Sequence, residues 1–321
     1  MMDTKLLGNT GLAVTPVGFG VLTVGNTQLN LSVADGAAIL RYALDCGINF
    51  LDTAQYYQTY PYIKTALKGL SFDPVICSKC LDPSFSGMEA AIEEARKEMD
   101  RDVIDIFLLH EVRSAVDLDL RKGALECLLE AKEKGLVRAV GVSTHHVDVA
   151  EAVAQREEFD VLFPLINFQS LGIRKGLGPG TKEEMAEAIL KASRNGQGVF
   201  TMKVFGGGPL IAHYQEAIRY VRSLPGVDSM MMGFGSFEEV DRIFEVFEDK
   251  LDPSYMPDIS QKKIWIDQGD CEGCGICLSR CPNQAIYRNE EGRAAVKDEL
   301  CMTCGYCAPV CPVRAIIMIS R

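Results

Sequence analysis

The first 250 residues alternate short apolar segments with amphipathic helical patterns, eight times in succession. Each segment is a nearly continuous apolar run, which is typical of parallel strands that are buried on both faces. Eight such strands, each followed by a helix, in about 250 residues are the pattern of a (β/α)8 TIM barrel. The predicted strands lie at residues 17–20, 48–52, 74–79, 105–110, 137–143, 161–166, 198–203 and 227–233.

A doubly wound open sheet is the alternative arrangement of alternating strands and helices. That fold would carry a G-x-G-x-x-G phosphate-binding turn after its first strand. The first strand here continues as "VGFGVLTVGN", which lacks that spacing. The pattern therefore favours a barrel over residues 1–250.

Two cysteine runs near the C-terminus repeat one spacing, C-x2-C-x2-C-x3-C-P. This spacing is typical of bacterial ferredoxins, in which the fourth cysteine of each run binds the cluster of the other run. Paired C-x-x-C motifs also build zinc sites, but three cysteines at three-residue intervals before C-P, twice over, favour iron–sulfur. One predicted [4Fe–4S] cluster is held by Cys271, Cys274, Cys277 and Cys311. The second is held by Cys301, Cys304, Cys307 and Cys281.

The repeated run predicts a pseudo-twofold, small α+β ferredoxin-like domain over residues 265–321. The preceding linker, residues 251–264, contains two X-Pro steps and is expected to be extended. A segment this short needs metal to stabilise it, whatever its function. Stability alone does not require two clusters at ferredoxin spacing, so electron transfer is the favoured role.

Charge and hydropathy exclude several classes of protein. The formal net charge of −11 argues against a nucleic-acid partner, because binding phosphate requires a basic face. No apolar run reaches the length of a bilayer span, and the first residues lack the pattern of a signal peptide. We expect a cytoplasmic chain with no membrane association, whose twelve cysteines are not a disulfide framework.

Ionisable side chains occur where adjacent predicted strands end. Asp52 ends the second strand, Lys79 the third and His110 the fourth, and Tyr57 lies in the loop after the second strand. In a barrel these ends share the C-terminal face, where active sites are found. The sequence therefore predicts that the four side chains converge on one site.

Several segments around these residues resemble the aldo-keto reductases over residues 5–248. They include "GINFLDTAQYY", "ICSK", "IDIFLLHE", "VRAVGVS" and "TMKVFGGGPL", in the order of the family pattern. The resemblance implies that Tyr57 donates a proton to a carbonyl oxygen, that Lys79 and Asp52 tune it, and that His110 orients the carbonyl. The physical chemistry agrees, because a nearby ammonium lowers the pKa of a phenol and a carboxylate keeps a buried ammonium charged.

The resemblance also implies that NADP(H) or NAD(H) binds across the barrel rim. Glycine-rich turns after the last two strands, and a helix N-terminus, can present N–H groups to phosphate. The chain departs from the family pattern at Thr144, where Asn is usual, and at Phe163 and Pro164, where Gln is expected. The expected cofactor contacts are Ser143, Thr144, Lys203, Gly206, Gly207, Gly233, Gly235, Ser236 and Glu239.

Two other histidines and four other cysteines are candidates for functional or structural positions. His145 and His146 follow the fifth strand and either face the substrate or are solvated loop residues. Cys46 and Cys127 fall within helical patterns and are expected in the core. Cys77 and Cys80 flank Lys79, where a redox role would require a thiolate-favouring environment.

Three functions remain open from the sequence. The leading one is an oxidoreductase that interconverts a small-molecule carbonyl and alcohol with NAD(P)H at the barrel, attached to an iron–sulfur domain. A second keeps the barrel site but performs cluster-linked redox or acid–base chemistry without nicotinamide. A third is an electron-transfer adaptor whose barrel is chiefly a docking body. An external redox partner is expected to exchange electrons with the iron–sulfur domain. A nicotinamide exchanges two electrons and a cluster one, and the sequence has no signature of a flavin to mediate between them.

Overall fold

A computed structural model describes residues 2–26, 28–207, 210–255, 257, 263–303, 305–308, 310–313 and 315–319. Its centre is a closed barrel of eight parallel strands, each hydrogen-bonded to the next one along the chain, with the last pairing back to the first. This confirms the predicted fold. The barrel strands, first to eighth, are Val17–Gly20, Phe50–Asp52, Val75–Cys80, Ile104–Val112, Val137–Thr144, Val161–Pro164, Gly198–Thr201 and Ser229–Met232.

Helices surround the barrel, and local capping groups set where several of them begin. The hydroxyls of Ser84 and Ser236 accept a hydrogen bond from the backbone of the first helical turn, and Thr181 forms a capping box with Glu184. The helices are α1 Val33–Asp45, α2 Tyr60–Leu67, α3 Phe85–Met99, α4 Ala115–Leu120, α5 Lys122–Glu133, α6 Val147–Val153, α7 Lys182–Arg194, α8 Tyr214–Ser223 and α9 Phe237–Phe247.

The barrel interior is a packed apolar core. Phe163 and Phe200 stack with ring centroids 4.3 Å apart, and Phe200 also meets Phe50 edge to face. An N-terminal hairpin, Lys5–Leu6 paired with Ala13–Val14, closes the lower end, and Leu7 is fully buried in the interior core. Since the lower end is sealed, the open positions lie at the upper rim, where the parallel strands end.

The C-terminal segment forms two small antiparallel sheets and a short helix. Lys263–Ile266 pairs with Ile316–Ile319, Ile286–Arg288 pairs with Ala294–Val296, and α10 spans Ile276–Arg280. Its core contains isoleucines and alanines together with the sulfur atoms of several cysteines. Residues 256 and 258–262, within the predicted linker, lie outside the described residues. The described helices include none that is long and apolar enough to span a bilayer.

Candidate active site

The four predicted rim residues lie together at the upper end of the barrel. Asp52 and Lys79 project from the second and third strands, His110 from the fourth, and Tyr57 ends a short 3-10 turn at Gln55–Tyr57. All four side chains are buried. The convergence follows from the barrel, because the ends of adjacent parallel strands are neighbours.

Lys79 forms a buried ion pair with Asp52. Its Nζ lies 2.6 Å from Asp52 Oδ1 and also donates a hydrogen bond to the backbone carbonyl of Thr53. Burial raises the pKa of the Asp52 carboxyl, and the charge and hydrogen bond of Lys79 oppose that rise. The Lys79 Nζ is 4.9 Å from the centre of the Tyr57 ring, so the pair lies directly beside the phenol.

The Tyr57 hydroxyl contacts two polar side chains. It is 3.4 Å from His110 Nε2 and 3.2 Å from the hydroxyl of Tyr306. Burial, and next the charges of Tyr306 and Asp52, raise the pKa of Tyr57 well above its ordinary value. This direction is opposite to the one predicted from Lys79, because burial and nearby acidic groups outweigh the ammonium. Tyr57 is therefore a neutral phenol near pH 7 and holds a proton that it can donate.

His110 is a neutral imidazole in this environment. Burial lowers its pKa well below the ordinary value, and the charges of Lys79 and Arg280 lower it further. The strand register shifts between Leu109 and Val112, and Glu111 has a φ of +54°. Such an irregularity re-aims side chains at the rim of a barrel. His110 Nε2 consequently faces the Tyr57 hydroxyl.

The sequence did not predict Tyr306 as a site residue. It belongs to the second cysteine run, yet it is 4% exposed and packs in one apolar cluster with Ala54 and Tyr57. In the first run the equivalent position is Ile276, which is 48% exposed. The two runs differ at most positions between their cysteines, so the tyrosine–isoleucine difference by itself did not mark Tyr306.

A second contact joins the cysteine-rich domain to the barrel rim. Arg280 N–H groups approach Glu111, with Nη1 3.0 Å from Oε2. The Arg280 guanidinium also lies 5.4 Å from the ring centres of Tyr56 and Tyr306. Because Glu111 directly follows His110, this ion pair ties the domain to the end of the fourth strand.

A cavity of about 390 Å³ opens between the barrel rim and the cysteine-rich domain. Both domains line it, so the upper end of the barrel is partly roofed by the C-terminal segment. Its barrel wall includes Gly20, Asp52, Tyr57, Phe163, Lys203, Phe205 and Gly233. Its roof includes Cys301, Met302, Thr303 and Tyr306.

Lys203 is the predicted cofactor residue that best suits an anionic ligand. Its Nζ is buried at the cavity and has no hydrogen-bond partner among the described residues. The backbone φ of +59° at Lys203 and of +60° at Gly206 mark a tight turn there. A buried ammonium without a partner fits a phosphate or carboxylate group of a ligand.

Two other predicted cofactor residues make contacts within the barrel instead. The Ser143 hydroxyl accepts a hydrogen bond from the Glu111 N–H at 2.8 Å, and the Thr144 hydroxyl donates to the Val112 carbonyl at 2.7 Å. The described cavity lining includes neither residue. These hydroxyls therefore brace the end of the fourth strand.

Of the other predicted cofactor residues, some line the cavity and some make hydrogen bonds at the start of α9. Gly207 lines the cavity, but an added Cβ there would lie 2.2 Å from the Met302 carbonyl oxygen, so the residue also makes room for the C-terminal domain. Ser236 caps α9, and Glu239 accepts a hydrogen bond from the Gly235 N–H at 2.6 Å. The N–H groups that were expected to bind phosphate are partly satisfied within the turn.

The described cavity lining does not include the other candidates, His145, His146, Cys77 and Cys80. His145 is buried, and burial followed by the charge of Lys203 lowers its pKa well below the ordinary value. His146 directly precedes α6, and its Nδ1 lies 3.9 Å from Asp148 Oδ1. Burial raises the pKa of the Cys77 and Cys80 thiols, so neither has the thiolate-favouring environment that redox reactivity requires.

Cysteine sulfurs cluster in the C-terminal domain. Cys277 and Cys307 are buried in one small core, and Cys271, Cys281, Cys301 and Cys311 pack against it, so cysteines of both runs share this core. Backbone N–H groups point at sulfur in matched positions of the repeat, from Ala285 to Cys281 and from Ala315 to Cys311, both at 3.3 Å. Such N–H groups stabilise cluster-bound thiolates. Cys304 lies outside the described residues.

Family models match both parts of the chain. The model described as the aldo/keto reductase family matches residues 16–217, and the one described as a 4Fe-4S dicluster domain matches residues 264–319. The L-galactose dehydrogenase of Arabidopsis thaliana is 28% identical over 167 residues, which are 48% of this chain and about half (52%) of that enzyme. A D-threo-aldose 1-dehydrogenase of a Pseudomonas species is 25% identical over 236 residues, 62% of this chain and 68% of that one.

Solved structures share the barrel. An aldo-keto reductase from Pseudomonas aeruginosa superposes with a TM-score of 0.64 at 23% identity, covering 78% of this chain and 96% of that one. The holo form of an aldo-keto reductase from Bacillus halodurans gives 0.64 at 19% identity, covering 81% and 99%. At these identities the likeness concerns the fold. The matched family model, which covers more than half of the sequence, shows that the chain belongs to the aldo/keto reductase family of oxidoreductases and carries a 4Fe-4S dicluster domain after its barrel.

Proposed function

We propose that the chain interconverts a small-molecule carbonyl and its alcohol with NAD(P)H in the rim cavity, and that its C-terminal domain transfers electrons. The observation that carries the proposal is the Tyr57 hydroxyl, which lies at the cavity as a neutral phenol beside a neutral His110 and a buried ammonium. The compounds named for its relatives, L-galactose and D-threo-aldoses, belong to the same chemical class of carbonyls and alcohols.

Tyr57 and His110 supply the acid chemistry and the orientation. A nicotinamide held in the cavity would supply or accept the hydride at the carbonyl carbon. As negative charge develops on the carbonyl oxygen, Tyr57 transfers its phenolic proton to that oxygen. His110 Nε2, 3.4 Å from the same hydroxyl, is placed to bind the carbonyl oxygen and orient it. In the reverse direction the Tyr57 oxygen accepts the proton of the alcohol.

The charges of Lys79 and Asp52 lie beside the Tyr57 ring and act on the charge of its hydroxyl. The ammonium lies 4.9 Å from the Tyr57 ring centre and opposes the build-up of negative charge that follows proton donation. Asp52, at 2.6 Å, is the counter-charge of that ammonium inside the barrel. Lys203 would hold an anionic part of the cofactor, because its buried ammonium lines the same cavity without a described partner.

The cysteines suit two [4Fe–4S] clusters with the ligand sets predicted from the repeat. Cysteines of both runs pack in one core, which supports ligand sets that draw on both runs. The second set would be completed by Cys304, which is not among the described residues. Two clusters in series would allow electrons to pass between an external redox partner and the barrel rim.

A second candidate function is cluster-linked reduction in the cavity without nicotinamide. Cys301, a ligand of the second predicted cluster, lines the cavity directly. Ser143 and Thr144, two of the expected cofactor contacts, hydrogen-bond to the end of the fourth strand instead. In this alternative Tyr57 still donates protons, but the electrons arrive singly.

Replacing Tyr57 with Phe tests the proton donor. We expect Tyr57→Phe to lower kcat by about 10²–10⁴, the usual contribution of a positioned general acid. The measurement is steady-state reduction of the best substrate from a panel of small aldehydes, ketones and sugars. Tyr287→Phe, at an exposed position in the C-terminal domain, is the control. Equal activity of Tyr57→Phe and the wild type would remove Tyr57 from the mechanism.

Stability measurements test the buried ion pair. Lys79→Met leaves Asp52 buried without its partner, and we expect it to cost about 3–5 kcal/mol of unfolding free energy. Adding Asp52→Asn should restore part of this loss, because the uncompensated carboxylate is removed. Lys134→Met, which breaks an exposed pair with Glu130, should have little effect. Anaerobic chemical denaturation measures the wild type and these three variants, and equal losses of unfolding free energy in the Lys79 single and double variants would contradict the pairing.

Nucleotide titration separates the two candidate functions. We expect anaerobically reconstituted protein to bind NADPH or NADH, and Lys203→Met to weaken that binding by about 10–100-fold, the contribution of a charged hydrogen bond. Isothermal calorimetry measures the affinity, and Lys191→Met, at an exposed position on α7, is the control. If neither nucleotide binds the wild type, the cluster-linked alternative replaces the nicotinamide proposal.

Iron analysis tests the crossed ligand sets. Wild-type protein should contain roughly eight iron atoms, and Cys311→Ser or Cys281→Ser should each retain roughly four. Because the two variants lose different clusters, their electron paramagnetic resonance (EPR) spectra after reduction should differ. Cys127→Ser, at a buried barrel position, should keep the full iron content. Zinc in place of iron in the wild type would refute the assignment.

A further inference from the structure

The C-terminal domain places a second phenol against the proton donor of the barrel. The hydroxyls of Tyr306 and Tyr57 are 3.2 Å apart, and the two rings are nearly parallel, with an interplanar angle of 21° and centroids 6.4 Å apart. Tyr306 is 4% exposed and lines the cavity. Among the described residues, the Tyr57 hydroxyl has one further hydrogen-bond contact, with His110 at 3.4 Å.

Barrel residues hold Tyr306 in place from several sides. Tyr56, adjacent to Tyr57 in the chain, donates a hydrogen bond to the Tyr306 carbonyl at 3.1 Å. The Lys203 ammonium lies 5.1 Å from the centre of the Tyr306 ring, within the range of a cation–π interaction. The position of the Tyr306 hydroxyl is therefore set by the barrel as well as by its own domain.

The Arg280–Glu111 pair fixes the domain at the same point of the rim. Both side chains are largely buried, 15% and 4% exposed. Glu111 also accepts a hydrogen bond from Arg113 at 2.9 Å, so the carboxylate joins cations from both domains. Arg280 precedes Cys281 and Tyr306 precedes Cys307, and both cysteines are predicted ligands of the second cluster. The residues that approach the barrel site are thus adjacent to ligands of a single cluster.

We propose that Tyr306 is a positioning residue of the barrel active site, which holds the Tyr57 hydroxyl toward the cavity, so that the two domains form one active site. The proposal rests on the proposed function, in which Tyr57 donates the proton. Without the Tyr306 hydroxyl, the described partner left to the Tyr57 hydroxyl is His110 at the longer distance of 3.4 Å, and Tyr57 samples orientations in which its proton does not face the carbonyl. A chain lacking the docked domain would therefore have an incomplete site.

Tyr306→Phe in the cluster-loaded full chain tests this role, because it removes the hydroxyl and keeps the ring. We expect kcat to fall about 3–10-fold, as for loss of one neutral hydrogen bond, with KM within about twofold of wild type. Iron content and the EPR spectrum should be unchanged, which shows that the domain is intact. Tyr287→Phe, in the same domain and 40% exposed, should match the wild type in every measurement.

A spectroscopic measurement tests the same contact without turnover. In protein labelled with ¹³C at the tyrosine Cζ, the Tyr57 resonance is identified by its loss in Tyr57→Phe. We expect Tyr306→Phe to shift that resonance and Tyr287→Phe to leave it in place. An unshifted resonance together with an unchanged kcat in Tyr306→Phe would overturn the proposal. If instead Tyr57→Phe is fully active while the resonance does shift, the contact stands and the proposed function fails.

Discussion

The Lys79–Asp52 ion pair is the interaction on which the rest of the site depends. A charged ammonium inside a barrel is tolerated only when it is paired and hydrogen-bonded, and both partners come from the second strand and the residue after it. Pairing fixes the ammonium beneath the Tyr57 ring and adjacent to His110. The same burial keeps Tyr57 protonated and His110 neutral. One buried charge pair therefore organises a site whose two other groups are uncharged near pH 7.

Residues of the C-terminal domain line the rim cavity together with residues of the barrel. The domain's cysteine-bearing loop roofs the cavity, and Gly207 on the barrel lacks the side chain that would collide with the Met302 backbone. The Arg280–Glu111 pair joins the domain to the residue that follows His110. A ligand in the cavity would touch the barrel acid on one side and a predicted cluster ligand, Cys301, on the other. This geometry gives the fusion of a reductase barrel and an iron–sulfur domain a physical rationale.

The sequence predicted the features that local periodicity and strand order determine. Eight apolar runs gave the barrel, and the positions of Asp52, Lys79 and His110 at strand ends gave their convergence, because neighbouring parallel strands end side by side. The repeat indicated a C-terminal domain whose core holds cysteines of both runs, and the division of these cysteines between two clusters stays a prediction. Contacts between distant segments were not accessible in this way, and Tyr306 was missed because only docking of the domain brings it to Tyr57.

Two further differences arose from burial and backbone irregularity. The pKa of Tyr57 rises where a fall was expected, since the sequence shows the nearby lysine but not the loss of solvent. Ser143 and Thr144 turn to the fourth strand because its register shifts before Val112 and leaves backbone groups to satisfy. No residue pattern in the sequence marks that shift.

Transfer of a labelled hydride tests the central claim most directly. Anaerobic single turnover with NADPH carrying deuterium at C4, followed by mass spectrometry and NMR of the product alcohol, reports the source of the new C–H bond. Carbonyl reduction at Tyr57 predicts about one deuterium per product, bound to the carbinol carbon. A reduced product without deuterium, formed while the clusters become oxidised, would contradict hydride transfer in the barrel and show that electrons reach the substrate through the C-terminal domain.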